Sequence, residues 1–246
     1  MDDMERYGDY NEIDEPPSKK SPVGLILKIL IGLLCFLVVG VIGFRIAVFN
    51  YYPTEMKKIY FNDVLSDYYT STGGDIGAKT QSLRFPYDDA DKGRFFADHL
   101  IVIEEAGQLQ ITLRYNQGLI SDLEKQYGVT LDGGDIFSFR LARDPRDNPS
   151  DDELDKDNVG DVAAEQVGTL TVNETTDFMM YTYHKLVFDG IDFGSDGGDE
   201  PAVEWLRVEI LINGVAMEKP FMVLVYENHS SNSRFTDYEL SDEEVP

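Results

Sequence analysis

"DHLIVIEEAGQLQITLRYN", residues 98–116, contains the clearest fold signal in the chain. Its first half is a continuous apolar run rich in β-branched residues, and Ala106-Gly107 then offers a turn. In its second half, apolar residues alternate with Gln110, Thr112 and Arg114. Side chains on a strand alternate between its two faces, so this pattern predicts a β-hairpin whose second strand turns one face to a core and the other to water.

Similar patterns continue towards the C-terminus, and they predict further strands in "IFSFRLAR" (136–143), "VGTLTV" (167–172), "DFMMYTYHKLVF" (177–188), "VEWLRVEILI" (203–212) and "VAMEKPFMVLVYE" (215–227). Asn213-Gly214 suits the positive φ angles of a type I′ hairpin turn, and Pro220 indicates an edge or a bulge in the return strand. The capping-box pattern Ser121 to Glu124 predicts one short helix that ends near Gly128. Together these elements predict an antiparallel β-sandwich, for which an immunoglobulin-like arrangement is one option.

The N-terminal region contains 22 residues, Val23 to Phe44, with a single charge at Lys28. As a helix rising 1.5 Å per residue this stretch is about 33 Å long, enough to cross a bilayer core of about 30 Å. A secretory signal has a shorter apolar run before its cleavage site, and Leu34 before Cys35 does not fit a lipoprotein signal. We therefore expect an uncleaved signal-anchor, that is, a single transmembrane helix.

The distribution of basic residues gives an orientation. Four lie on or before the N-terminal side of the apolar stretch (Arg6, Lys19, Lys20, Lys28), and three follow it (Arg45, Lys57, Lys58). The positive-inside rule then favours a cytoplasmic N-terminus. The expected location is the cell membrane, crossed once, with an extracytoplasmic C-terminal domain.

These patterns divide the chain into five predicted regions. Residues 1–20 are expected to be a disordered acidic cytoplasmic tail, and residues 21–49 the transmembrane helix. A juxtamembrane segment over residues 50–74, predicted to be helical, precedes the β-sandwich of residues 75–228. Residues 229–246 are expected to form an acidic disordered tail.

Charge and cysteine content limit the class of protein. The net charge is −25, and residues 49–246 alone contain 39 acidic and 16 basic residues. Such a surface repels nucleic acid, so no nucleic-acid partner is expected. Cys35 is the only cysteine, so the predicted sandwich is stabilised without a disulfide.

One loop has the composition of a calcium site, "FDGIDFGSDGGDE", residues 188–200. Carboxylates are the hard oxygen ligands that calcium prefers, and the glycines let a loop fold around an ion. The candidate ligands are Asp189, Asp192, Asp196, Asp199 and Glu200. Their spacing does not match an EF-hand, so a solvated connection between strands is the competing interpretation.

The second candidate site is a ligand platform of exposed aromatic rings formed by Tyr181, Tyr183 and Trp205, although aromatic residues on sandwich strands usually belong to the core. The histidines show no zinc-binding spacing, and the chain has no nucleophile elbow and no phosphate loop. No cofactor other than calcium is expected, and an enzyme is not the favoured class.

These observations lead to a hypothesis and an alternative. The favoured function is that of a single-pass membrane-anchored surface protein, whose acidic sandwich is an interaction or ligand-binding module for a partner protein or a cell-wall polymer. The alternative is an extracytoplasmic sandwich hydrolase that uses acidic side chains, with or without calcium.

Overall fold

A computed structural model describes residues 22–51, 53–83, 94–131, 136–143, 165–193, 205–217, 220–227, 235–241 and 243–244. The chain divides into two compact units, one ending at Tyr51 and the other beginning at Tyr52.

The first unit contains helix α1, Pro22–Asn50. Within it, Val23–Val48 is long and apolar enough to cross a membrane, and its large apolar side chains are exposed along most of its length. A helix that is apolar on all sides is typical of a membrane span. The structure thus contains the predicted apolar helix within one residue of its expected ends.

The second unit is mainly antiparallel β-structure. Its strands are β1 Lys79–Ser82, β2 Phe95–Ile103, β3 Gln108–Asn116, β4 Phe137–Arg143, β5 Thr169–Phe178, β6 Tyr181–Asp189, β7 Trp205–Ile212, β8 Phe221–Glu227 and β9 Thr236–Asp237. The larger sheet has the order β5-β6-β3-β2-β1-β9, and the smaller has the order β4-β7-β8. The arrangement is sandwich-like, as the sequence predicts.

A hydrophobic core lies between the two sheets and contains side chains from both. Leu109, Ile111 and Leu113 of β3 are fully buried in it, as the alternating pattern predicts. The predicted inward-facing residues of β4 and β7 are also buried; they are Phe137, Phe139, Leu141, Leu206, Val208, Ile210 and Ile212. Removal of this apolar surface from water is the main favourable term for the sandwich.

The stretch 177–188, predicted as one strand, is a hairpin. Strand β5 continues to Phe178, the chain turns at Met179 and Met180, and β6 begins at Tyr181, paired with Phe178. Met179 has a φ of 53°, and among the described residues it is the only one other than glycine with a positive φ. A turn at two methionines lacks the glycine or asparagine signal on which sequence-based turn prediction depends.

The turn at Asn213-Gly214 exists, but it is not a type I′ turn. Only Gly214 has a positive φ, 76°, and the Val215 amide donates to the Ile212 carbonyl. The return strand β8 begins at Phe221, directly after Pro220, and lies at the edge of the smaller sheet. The edge position fits the expectation for Pro220, because proline cannot donate to a neighbouring strand.

The short helix α3, Gly118–Tyr127, begins three residues before the predicted capping box. The Asn116 carboxamide oxygen accepts a hydrogen bond from the Gly118 amide (2.9 Å) at the start of the helix. The helix ends at Tyr127 and is capped by Gly128, which has a φ of 66°, so it stops near Gly128 as the sequence predicts.

The sandwich unit extends beyond the predicted limits at both ends. The juxtamembrane region is not one helix: it has a short 3-10 turn, Thr54–Lys57, an extended stretch, and helix α2, Asp63–Thr72. Strand β9 and the residues after it contradict the predicted disordered tail, because β9 pairs with β1 and Tyr238 and Leu240 pack against a second apolar cluster. That cluster contains Ile59, Leu65, Ile76, Ala78, Ile101 and Ile103.

Candidate functional site: the buried polar face of the larger sheet

The outer face of β3, which the sequence predicts to face water, is buried. Gln108, Gln110 and Thr112 have no exposed surface, and Arg114 is almost completely covered. Residues 56–62, which we call the strap, bond to β3 through Met56, Tyr60 and Asn62 and to the neighbouring strand β6 through Lys58. The prediction of a wet face is therefore wrong, because a distant part of the chain covers it.

Side chains of the sheet bind the backbone of the strap. The Gln110 carboxamide accepts a hydrogen bond from the Tyr60 amide (2.8 Å) and donates one to the Tyr60 carbonyl (2.8 Å). The Thr112 hydroxyl donates to the Met56 carbonyl (2.7 Å), and the Lys185 side-chain nitrogen donates to the Lys58 carbonyl (2.8 Å). These bonds satisfy backbone groups that would otherwise need a neighbouring strand or water.

The C-terminal residues bind the strap as well. The Ile59 amide donates to the Tyr238 hydroxyl oxygen (3.1 Å) and to the Glu244 carboxylate (3.3 Å), and the Tyr238 hydroxyl also donates to Glu244. Burial raises the pKa of Tyr238, and its bond to Glu244 raises the pKa further. Burial acts to raise the pKa of Glu244, but hydrogen bonds from Tyr238, Ser241 and Ile59 outweigh this and hold the pKa below its usual value.

Asp189, one of the predicted calcium ligands, anchors the end of the strap. Its buried carboxylate accepts hydrogen bonds from the Asn62 and Gln108 carboxamides (2.7 Å each) and from the Thr171 hydroxyl. The Asn62 side chain also caps α2, because its oxygen accepts from the Leu65 amide (3.0 Å). Asp189 thus links β6, β3 and β5 to the start of α2.

The rest of the predicted calcium site is only partly described. Asp192 is exposed three residues after the end of β6, and Asp196, Asp199 and Glu200 lie outside the described residues. Within the described ranges, no group of three or more histidine, cysteine or acidic side chains is placed to hold a metal ion. Calcium binding by this loop stays a prediction.

The predicted aromatic platform has a different placement from the one expected. Tyr181 and Tyr183 are buried, and their rings lie beside Arg114, with the guanidinium carbon 4.8 Å and 5.9 Å from the two ring centroids. Trp205 lies at the start of β7 in the other sheet. The two tyrosines therefore line the polar face, where their rings attract a buried cation. Ligand binding by the three aromatic residues stays a prediction.

Titratable groups on the polar face have shifted pKa values. Burial raises the pKa of Asp98 to about 7, although Arg114, whose Nε lies 2.8 Å from the Asp98 carboxylate, and Lys57 act in the opposite direction. Burial lowers the pKa of His99 to about 4 and that of Lys185 to about 7. Loss of hydration disfavours the charged form of each of the three groups.

The strap is the functional feature that sequence analysis missed, although the sequence contains a hint. A strand face that contacts water in a strongly acidic protein is expected to be rich in charged residues, whereas β3 presents three neutral side chains, Gln108, Gln110 and Thr112, beside the single charge of Arg114. Neutral side chains that both donate and accept are suited to binding a backbone. Nothing local in the sequence identifies which segment they bind.

Comparison with known proteins gives no match: no family model, no curated protein and no solved structure resembles the chain significantly.

Proposed function

We propose that the protein is a single-pass membrane protein whose sandwich is an extracytoplasmic interaction module, and that the turn between β5 and β6 contacts its partner. The observation that carries the proposal is the exposure of the Met179 side chain. Among the described residues that follow α1, it is the most exposed large apolar side chain, at 57%.

Met179 also has an unfavourable backbone conformation. Its φ of 53° is one that glycine adopts without cost, whereas a residue with a Cβ loses about 1 kcal/mol or more. Backbone strain of this kind is a basis for a functional hypothesis where the surrounding structure maintains it. Here the hairpin pairing of Phe178 with Tyr181 and a bond from the Gln117 amide to the Met180 carbonyl maintain the turn.

The chemistry beside the turn indicates what kind of partner fits. Asp177 is exposed on β5 two residues before Met179, within a unit that is strongly acidic. We infer a partner protein that has an apolar recess for the methionine side chain and basic residues around it. An anionic polymer or an anionic bilayer surface fits less well, because both would be repelled.

Cross-linking on intact cells tests the location and the contact together. In a Thr176→Cys chain, a membrane-impermeant thiol reagent carrying a photo-cross-linker should label the exposed position three residues before Met179. Labelling requires an extracytoplasmic sandwich. Irradiation should then join the protein to one partner, and the cross-linked residues of that partner should lie beside an apolar recess with a basic border.

The variant Met179→Gly separates binding from folding. We expect it to reduce the cross-linking yield about 5- to 30-fold, since burial of a methionine side chain is worth about 1–2 kcal/mol at an interface. The free energy of unfolding should stay the same or rise by up to about 1 kcal/mol, because glycine suits the turn. Lys79→Cys is the control position for labelling, because β1 lies near the edge of the sheet opposite to β5.

Three outcomes would count against the proposal: no labelling of the Thr176→Cys chain, an undiminished yield in the glycine variant, or equal cross-linking from the Lys79→Cys chain. Release of soluble fragments from the cell wall by the unlabelled protein would instead support the alternative, a hydrolase. An immunoglobulin-like type of sandwich and residence in the cell membrane remain parts of the proposal.

A further inference from the structure

We propose that the strap is a proton-sensitive element, closed over the outer face of the larger sheet while the side chain of Lys185 is neutral and loosened when that side chain takes up a proton. The proposal concerns the polar face and does not depend on the partner contact at Met179.

The position of Lys185 carries the proposal. Its side chain is buried on β6, opposite Thr112 of β3, and its nitrogen donates to the Lys58 carbonyl of the strap at 2.8 Å. Among the described residues, no ion pair joins this nitrogen to a carboxylate. A neutral amine can make the bond to the carbonyl, whereas a buried ammonium without a paired anion has a large desolvation cost.

Charged groups surround Lys185 on each element packed against it. Glu174 on β5 and Glu244 in the C-terminal segment favour the ammonium form, and His99 on β2 is itself held neutral. Arg114 on β3 is paired with Asp98, and the strap contributes Lys57, Lys58 and Tyr60. Burial outweighs the two carboxylates and lowers the pKa of Lys185 to about 7.

The lowered pKa of Lys185 determines whether the strap opens more or less readily as the pH rises. The pKa of Lys185 is lower with the strap closed than with the side chain hydrated, so opening of the strap takes up a proton between pH 7 and the ordinary lysine pKa of about 10.5. The opening equilibrium should therefore fall by up to about tenfold for each pH unit above 7. His99 and Asp98 titrate at or below about pH 7, and the raised pKa values of Tyr60 and Tyr238 lie above 10.

Hydrogen exchange of the full chain in lipid nanodiscs, followed by mass spectrometry with fragmentation, tests the proposal between pH 7.5 and 9. The readouts are the amides of Ile59 and Tyr60, expressed as protection factors so that the intrinsic pH dependence of exchange is divided out. We expect protection to rise by up to about 30-fold over this range. Amides of β3 should change much less, since they exchange only when the sheet itself opens.

Two variants make the test specific. Lys185→Met keeps most of the bulk of the side chain but removes both the titratable amine and its bond to the Lys58 carbonyl, so protection of the strap should be independent of pH. Lys79→Met, at an exposed lysine paired with Glu104, should keep the wild-type slope. A flat wild-type profile, or a slope that persists in Lys185→Met, would overturn the proposal.

A second measurement keeps the proposal testable if Lys185→Met does not fold. Lysine labelled with ¹³C at Cε can be incorporated into the wild-type chain, and the Cε signals followed by NMR as the pH changes. The signal that is lost in a Lys185→Arg chain should titrate at least two pH units below the signals of exposed lysines. Titration of Lys185 together with the exposed lysines would contradict the proposal.

Discussion

Gln110 shows how a single side chain can replace a neighbouring strand. Its carboxamide is oriented so that one group accepts from the Tyr60 amide and the other donates to the Tyr60 carbonyl. A second bond, in which the same nitrogen donates to the Gln108 carboxamide oxygen (2.7 Å), fixes the orientation. The need for a glutamine at this position comes from the strap backbone that it binds, so the role of Gln110 can be recognised only in the folded structure.

At this scale we predict that Gln110→Ala lowers the free energy of unfolding by about 2–3 kcal/mol. The change removes both bonds to Tyr60 and leaves a cavity in a buried face. Urea unfolding of residues 53–246 would measure the loss.

Gln126→Ala is the matched control for Gln110→Ala. Gln126 is exposed on α3, and its side chain accepts a hydrogen bond from Arg94 at the surface, so the change should stay within about 0.5 kcal/mol. Equal effects of the two substitutions would mean that the Gln110 bonds to the strap contribute nothing.

At the scale of elements, sequence analysis succeeds where the pattern depends only on the next strand. β3, β4 and β7 alternate in the sequence, and the residues predicted to face inwards are buried, because period-two alternation is a property of the strand itself. The same alternation does not predict what covers a strand face when the covering segment is distant in the sequence. The outer face of β3 contacts residues about 50 positions earlier in the chain, and β9 pairs with β1 across more than 150 positions.

In the candidate site, too, the sequence identifies residues but not their distant partners. Residue type alone identifies Asp189, Tyr181 and Tyr183 as candidates, and all three lie on or beside the polar face. Their roles could not be predicted, because the donors that bind Asp189 and the cation beside the tyrosines come from other strands. The turn at Met179 escapes prediction for a different reason, since its sequence has no turn-forming residue.

The C-terminal segment provides a prediction at this scale. A chain that stops after Glu227 loses β9, the packing of Tyr238 and Leu240, and the bonds from the Ile59 amide to Tyr238 and Glu244. We expect a loss of about 2–4 kcal/mol in the free energy of unfolding, from partly buried apolar surface and two hydrogen bonds.

Thermal unfolding followed by circular dichroism would measure this loss. Removal of residues 245–246 alone should have little effect, and Tyr238→Phe, which keeps the ring and loses the hydroxyl, should give an intermediate result. If the chain that stops after Glu227 were as stable as the intact unit, the C-terminal segment would be a peripheral addition.

At the scale of the whole molecule, the juxtamembrane residues belong to the folded unit. Only Tyr51, Tyr52 and Pro53 lie between the last residue of α1 and the first of the 3-10 turn, and the strap begins within that turn. The apolar cluster of Ile59, Leu65 and their neighbours lies on the same side of the sheet as the strap bonds. The central claim is therefore that the sandwich is incomplete without the segment that leads out of α1.

The most direct test of this claim compares two soluble chains, residues 53–246 and residues 75–246, by urea unfolding. They differ only in the 3-10 turn, the strap and α2. The longer chain should unfold in one cooperative transition. In the shorter chain the polar face and Ile76, Ile101 and Ile103 lose their cover. Exposure of several apolar side chains to water then costs about 1.5–3 kcal/mol for each of them. Since a domain of this size is stable by only about 5–15 kcal/mol, the shorter chain should show no cooperative transition and should bind a hydrophobic dye. Equal transition midpoints for the two chains would contradict the claim.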